Sequence, residues 1–407
     1  MRFLFIHPNF PAQFANMLIA LSQAPGNQVA FLTTRTDGEI PGVHKVIYQL
    51  SREVAKETHQ YVRNLEEAVL HGQAAYRAAV ELKNKGFVPD LVVGHSGWGP
   101  TMYMKDLFPD TPFIGYFEWF YHAHGSDAEF GPDEKLNPDA ECRIRSKNAP
   151  ILIDLYSCDR GYSPTYWQHS QFPAEYARKI QVIHDGINTE VYQPKKDAAL
   201  MLADKQIDLS GVDEVITYVA RGMEPYRGFP QFMESLSLVM ARRPRCHAVI
   251  VGEDRVAYGS PAPGGKSFKE LTLERFPFDP ARLHFTGHLP RSQYLQVLQA
   301  STVHVYLTRP FVLSWSMLEA MSCGCLLVAS DTQPVREVIN DGVNGLLVDF
   351  FRTAQIADRI EEALDDPRRR AAIGVRARES IRDRYELKSM LARQAQFFSA
   401  TIQEYKK

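Results

Sequence analysis

Cysteine is scarce and unpaired in pattern: Cys142, Cys158, Cys246, Cys323 and Cys325 form an odd set with no Cys-x-x-Cys among them. That argues against a disulfide framework or a zinc knuckle and makes a reducing, cytoplasmic compartment the expectation. An excess of one charge is lacking too. With 46 basic and 48 acidic residues, the formal net charge is -2, too weak a field to draw the chain to nucleic acid. No apolar run reaches the ~18 residues of a membrane span, and residues 1–8 enter a strand-like pattern without the cleavage site of a secretion signal. Any membrane contact is therefore expected to be peripheral, at the inner face. The chain has no Asp-x-Asp pair, no His/Cys group at ligand spacing, no Walker A sequence and no Gly-x-Ser-x-Gly elbow. The expectation is chemistry without a bound metal or cofactor.

What is present is ordinary globular composition, 45% hydrophobic and 23% charged over 407 residues, enough for two to three domains at ~150 residues each. Short apolar runs alternate with amphipathic stretches, the pattern of βαβ units and parallel sheets. In the first half the expected strands are 3–6, 29–32, 45–48, 91–93, 113–117 and 181–183, with one long or broken helix over 52–82. Residues 125–141, rich in Asp and Glu among Gly and Pro, read as a mobile acidic loop. A second series follows, with strands at 215–219, 247–251, 283–285, 303–307, 325–329 and 346–348 and helices at 229–241, 292–299 and 314–321. The join is expected within 186–197. From 353 onward the pattern is helical, ending in an amphipathic helix at 387–402.

The most informative stretch runs from Arg309 to Asp331. A strand ends, a turn containing Pro310 follows, and a helix begins near Ser314 with its free N–H groups facing the turn, an arrangement that suits a phosphate. Glu319 within that helix is placed to accept hydrogen bonds from a ribose diol. The plainer reading is a capped helix with one solvated glutamate.

The run Glu319-Ala-Met-Ser-Cys-Gly-Cys-Leu-Leu-Val-Ala-Ser-Asp331, with Val335–Asp349 behind it, resembles the donor-binding signature of retaining glycosyltransferase family 4. Three other stretches agree in order: Ile183–Pro194 resembles that family's interdomain connection, Tyr218–Gly228 its diphosphate motif, and Leu283–Pro290 its base-side loop. The resemblance implies the GT-B fold, an α/β architecture of two Rossmann-like doubly wound domains facing a central cleft. The first domain would span 1–189, with the helix 387–407 packing back on it, and the second 190–386. It implies a metal-independent transferase that moves a sugar from a UDP- or GDP-sugar to a hydroxyl of a glycan or lipid-linked acceptor, in polysaccharide or glycolipid biosynthesis.

By the same resemblance, Arg221 and Arg227 hold the diphosphate, and Arg227 stands where the family usually has Lys. The backbone at Val312, Leu313 and Ser314 meets sugar and phosphate, Glu319 the ribose, His288 and Leu289 the base, and Gly252 lies close to the donor. Two positions depart from the pattern. Phe311 replaces a Glu eight places before Glu319, and Glu118 aligns with the family's strand-end His and is assigned a catalytic contact. On the acceptor side the strand-end loops offer His7, Asn9, Gln13, His95 and Ser96, together with Tyr116 and Trp119. Tyr121, Arg143, Arg145 and Lys147 are further candidates for a saccharide or an anionic lipid carrier. The two departures keep open an epimerase or hydrolase using Glu118 and Glu253, and a sugar-nucleotide-binding protein without transfer activity.

Overall fold

The computed structural model describes residues 1–405. The chain divides into two compact units: Met1–Gly186 together with the stretch from Lys388 onward, and Ile187–Leu387. The first is built on seven parallel strands: β1 (Arg2–Ile6), β2 (Gln28–Thr33), β3 (Val43–Ile47), β4 (Leu91–His95), β5 (Phe113–Tyr116), β6 (Arg160–Ser163) and β7 (Ile180–Val182). Their spatial order is β3-β2-β1-β4-β5-β6-β7. Side chains alternate across a strand, so both faces of this sheet must be apolar to be covered. On β1, Phe3 and Phe5 join Phe14, Phe31, Tyr116 and Tyr162 on one face. Leu4 and Ile6 join Leu32, Val92, Phe117 and Ile151 on the other.

The second unit opens with a small antiparallel pair, β8 (Met201–Leu202) and β9 (Ile207–Asp208). Its main sheet is again all parallel: β10 (Val215–Gly222), β11 (His247–Glu253), β12 (Leu283–Gly287), β13 (Val303–Tyr306), β14 (Leu326–Ser330) and β15 (Leu346–Val348), in the order β12-β11-β10-β13-β14-β15. Each sheet reverses its winding once, between β1 and β4 and between β10 and β13. In open α/β sheets the crevice beyond the carboxyl ends of the strands at such a reversal is where ligands bind.

The last helix, Leu387–Tyr405, belongs by packing to the first unit. Phe397, Phe398 and Ile402 enter its core, and Gln394 Nε2 donates to the His184 carbonyl at 3.1 Å. Among the described residues, no helix is long and apolar enough to cross a membrane.

Two segments differ from the sequence expectation. The helix anticipated over 52–82 is Arg63–Asn84. Val54 and Tyr61 have helical spacing, but the stretch before Arg63 folds back on itself: the Arg63 guanidinium donates to the carbonyls of Lys56 and Thr58, and Thr58 and Arg52 both hold the Glu66 carboxylate. Local side-chain bonds of this kind compete with helix formation. The acidic loop ends at Asn137, where a helix, Pro138–Ser146, begins. Asn137 Oδ1 accepts from the Ala140 amide at 2.8 Å. Pro138 takes the first-turn position that needs no N–H, and Asp139 and Glu141 meet the positive end of the helix. Those acids mark a helix start. Strand β6 and the helix Phe268–Arg275, opened by a Ser267/Glu270 capping box, were not expected.

Candidate active site

In the second unit, the carboxyl ends of β10 and β13 carry the residues that the sequence singled out. Gly222 lets the loop after β11 lie close, since a Cβ there would meet the Arg255 carbonyl at 2.5 Å. Arg221, at the end of β10, is exposed, and among the described residues it has no charged partner. Arg227 is buried. Its Nη1 donates to the Thr308 hydroxyl at 2.8 Å, the Val312 carbonyl at 3.0 Å and the Tyr306 hydroxyl at 3.1 Å. Its backbone carbonyl accepts from Tyr218 Oη at 2.8 Å. The guanidinium lies 5.5 Å from the ring centre of Tyr258 and 6.0 Å from that of Phe311. All three of these hydrogen bonds leave from one nitrogen, so the cation is fixed, while among the described residues Nε and Nη2 make none.

Glu224, fully buried, organises this loop. Its Oε2 accepts from the amides of Ala257 and Tyr258, tying the Gly/Pro-rich segment after β11 to the end of β10. Burial raises the pKa of its carboxyl, against the pull of those two amides and of Arg227. The segment so held brings Tyr258 to Phe311 (ring centres 5.3 Å apart), and Phe311 also meets Tyr226 at 5.6 Å. Phe311 therefore sits in an aromatic cluster beside the arginine.

Several expected donor contacts fall differently. The Ser314 amide, expected to be open to a phosphate or sugar, donates to Tyr306 Oη at 2.9 Å. The Val312 carbonyl is used by Arg227, and Leu313 packs into the core. Tyr306 and Thr308, at the end of β13, have claimed those groups. Gly252 is glycine because a Cβ there would meet the Ala220 carbonyl at 2.1 Å, a requirement of strand packing. His288 is exposed, while Leu289 points into the core and leaves its main chain for any ligand. Glu319, on the helix Trp315–Ser322, is half-buried and accepts from Tyr294 Oη at 2.6 Å. Burial raises its pKa, with the bonds from Tyr294 and Tyr192 acting the other way.

In the first unit, the loops after β1, β4 and β5 form a second cluster. The rings of His7 and His95 meet edge to face, 4.8 Å apart. His95 Nδ1 donates to the Ser96 carbonyl at 2.8 Å, so in the neutral ring Nε2 is the acceptor nitrogen. It lies 3.5 Å from Glu118 Oε2, and Gln13 Nε2 donates to Glu118 Oε1 at 3.1 Å. His7 accepts from the Asn9 amide at 2.8 Å, and burial, with His95 beside it, lowers its pKa well below the usual histidine value. The Asn9 side chain is exposed.

Two residues expected on the acceptor side are closed off. Tyr116 is buried in the aromatic core, and its hydroxyl donates to Asp185 at 3.0 Å. Trp119 is buried as well. A strand covered on both faces buries either parity of side chain, so alternation gave no sign of which ring reaches solvent. Tyr121 and Arg145 line a separate groove of about 1,260 Å³ in the same unit. Sequence reasoning missed Glu224, Tyr258, Tyr306 and Thr308, and also Asp154, which is buried beneath the β4 loop. Among the described residues, no group of three or more His, Cys, Asp or Glu side chains could hold a metal ion.

Residues 25–192 match the family described as glycosyl transferase family 4 group, and residues 203–380 match glycosyl transferases group 1. The chain belongs to the group 1 glycosyltransferases. Among curated relatives of this glycosyltransferase-family chain, the D-inositol 3-phosphate glycosyltransferase of Corynebacterium aurimucosum is 26% identical over 48% of this chain and 45% of its own. The α-D-kanosaminyltransferase of Streptomyces kanamyceticus is 28% identical over 39% of this chain and 38% of its own. The chain thus spans about half the length, or less, of the curated relatives it matches. Two solved structures share the GT-B fold across nearly the whole chain. Anabaena HepE in complex with UDP-glucose has a TM-score of 0.69 at 16% identity, covering 98% of this chain and 100% of that one. Sucrose-phosphate synthase from Thermosynechococcus elongatus has a TM-score of 0.72 at 16% identity, covering 98% of each.

Proposed function

We propose that this chain moves a sugar from a nucleoside-diphosphate sugar to a hydroxyl of a glycan or glycolipid acceptor, with retention at the anomeric carbon and without a metal. The observation that carries this reading is Arg227, a buried cation fixed through one nitrogen at the winding reversal of the second sheet. Preorganised charge of this kind counts most where charge develops, here on a departing diphosphate. Exposed Arg221 adds a second cation, and Glu319 is the ribose acceptor, exchanging its bond from Tyr294 for one from the diol. The acceptor oxygen bonds to the anomeric carbon as the bond from that carbon to the phosphate oxygen breaks on the same face. The hydroxyl proton passes to the leaving phosphate. The products are a glycoside and a nucleoside diphosphate. The HepE structure holds UDP-glucose, which favours a uridine donor.

The test is to incubate the protein with UDP- and GDP-sugars, with EDTA present, and follow diphosphate release with and without acceptor glycans. Acceptor-dependent release is expected, and Arg221→Ala, an exposed substitution, should lower turnover by about 100-fold with the fold intact. Release that ignores acceptors would identify a hydrolase. Binding without release would identify the non-catalytic alternative, which Phe311 in the place of a sugar-contacting Glu favours. Loss of all activity in EDTA, restored by a divalent ion, would overturn the metal-free assignment.

A further inference from the structure

Trp98 stands out on the first unit's surface. It is 52% exposed, yet the loop that carries it is tightly held. Gly97 and Gly99 on either side have φ of +95° and +96°, and a Cβ on Gly99 would meet the Ala68 carbonyl oxygen at 2.0 Å. The loop is thus pressed onto the helix Arg63–Asn84 at a point where no other residue type fits. From beneath, buried Asp154 accepts from the Thr101 hydroxyl at 2.9 Å. A large aromatic side chain is therefore presented to solvent by a rigid loop, at a strand end beside the winding reversal. A single exposed aromatic is common on a protein surface; what sets Trp98 apart is the held loop beneath it and the polar groups beside it.

Its neighbours narrow the ligand. The Trp98 ring centre lies 6.4 Å from both His7 and His95. His95 is almost fully buried, and its Nε2 has no hydrogen-bond partner among the described residues. Gln13 and Glu118 complete a polar wall next to it. One aromatic face beside several hydrogen-bonding groups matches a pyranose ring, whose axial C–H bonds form a weakly positive apolar face while its edge carries hydroxyls.

We infer that Trp98 is the platform on which the first unit stacks a pyranose ring of its acceptor, with the ring's hydroxyls met by Gln13 and Glu118, and His95 buried behind them. This deepens the proposed function and rests on it for the word acceptor; the saccharide contact itself does not depend on turnover.

The chain has 4 Trp, so the indole N–H signals of ¹⁵N-labelled full-length protein are few and Trp98→Phe identifies the one in question. Titration with maltotriose, mannotriose and cellobiose should move that signal saturably, and titration with uridine or guanosine should not. In transfer assays, Trp98→Ala should lower kcat/KM for the saccharide acceptor by about 10-fold or more, chiefly through KM. Affinity for UDP should be unchanged, and Trp98→Phe should retain most of the activity. Wild-type transfer by Trp98→Ala, a Trp98 signal moved by nucleosides alone, or one that no saccharide moves would overturn the proposal. Absence of diphosphate release from every nucleotide sugar would defeat the proposed function instead, and the indole titration would still decide the role of Trp98.

Discussion

Asp154 shows how one buried side chain couples the candidate site to pH. Burial raises its pKa from 3.8 to about 6, against the pull of the Thr101 hydroxyl that donates to it and of the polar groups of Ser96 and Gly97 beside it. Between those two values the folded chain keeps a proton that the unfolded chain has released, so stability falls as pH rises through the window. The full loss is on the order of 3 kcal/mol. Asp154→Asn keeps an acceptor for Thr101 and removes the titration. Chemical denaturation across pH 4–7 should therefore show the variant gaining on the wild type as pH rises, whereas parallel profiles would rule out an ionised Asp154 as the cause. His184 lies on the other side of the ledger: burial lowers its pKa to about 4, so its contribution is lost as pH falls from the ordinary histidine range toward that value.

At the scale of the element, the segment between β11 and the helix Phe268–Arg275 depends on Glu224. Two amides end on one buried oxygen, and leaving such donors unsatisfied costs roughly 1–3 kcal/mol each. Glu224→Ala should release this segment and with it the Tyr258 ring that lies against Arg227. The expected result is lower thermal stability together with a weaker affinity for nucleoside diphosphate in calorimetric titration. Glu224→Gln, which keeps an acceptor oxygen, should restore most of both. Equal affinity in all three proteins would mean that Tyr258 has no part in the anion site. This element was illegible in the sequence for a physical reason. A Gly/Pro-rich stretch predicts a turn, and only the side chain of a residue more than thirty positions earlier determines where that turn is held.

On the scale of the whole molecule, the first unit is closed by residues from the far end of the chain. Phe398 lies 6.3 Å from Phe5 and 6.2 Å from Tyr162, ring centre to ring centre. Truncating a buried Phe removes its transfer energy and leaves a cavity, at a cost of about 3–5 kcal/mol. Phe398→Ala should therefore lower the unfolding midpoint of the first unit, read by limited proteolysis and near-ultraviolet circular dichroism. UDP binding, which the proposal assigns to the second unit, should stay unchanged. A fall in both by the same amount would show that the two units unfold as one.

The sequence by itself determined the two parallel sheets, because alternating apolar runs and amphipathic stretches permit little else. Through its family resemblance it also singled out Arg221, Arg227, Phe311 and Glu319, of which Arg227 and Phe311 lie side by side. Tertiary structure alone decided what those residues meet. Tyr306 and Thr308 reach Arg227 because β10 and β13 pair in parallel, Ile216 opposite Val303 and Tyr218 opposite Val305, and no local pattern encodes that neighbourhood. The same holds for Tyr116, whose burial follows from helices packed on both faces of its sheet. Trp98 is the converse case: a lone aromatic between two glycines carries no periodic signal, and its exposure follows from how closely its loop lies against a helix some thirty residues earlier. Periodicity is a property of neighbours along the chain, whereas burial, pairing and access are properties of neighbours in space.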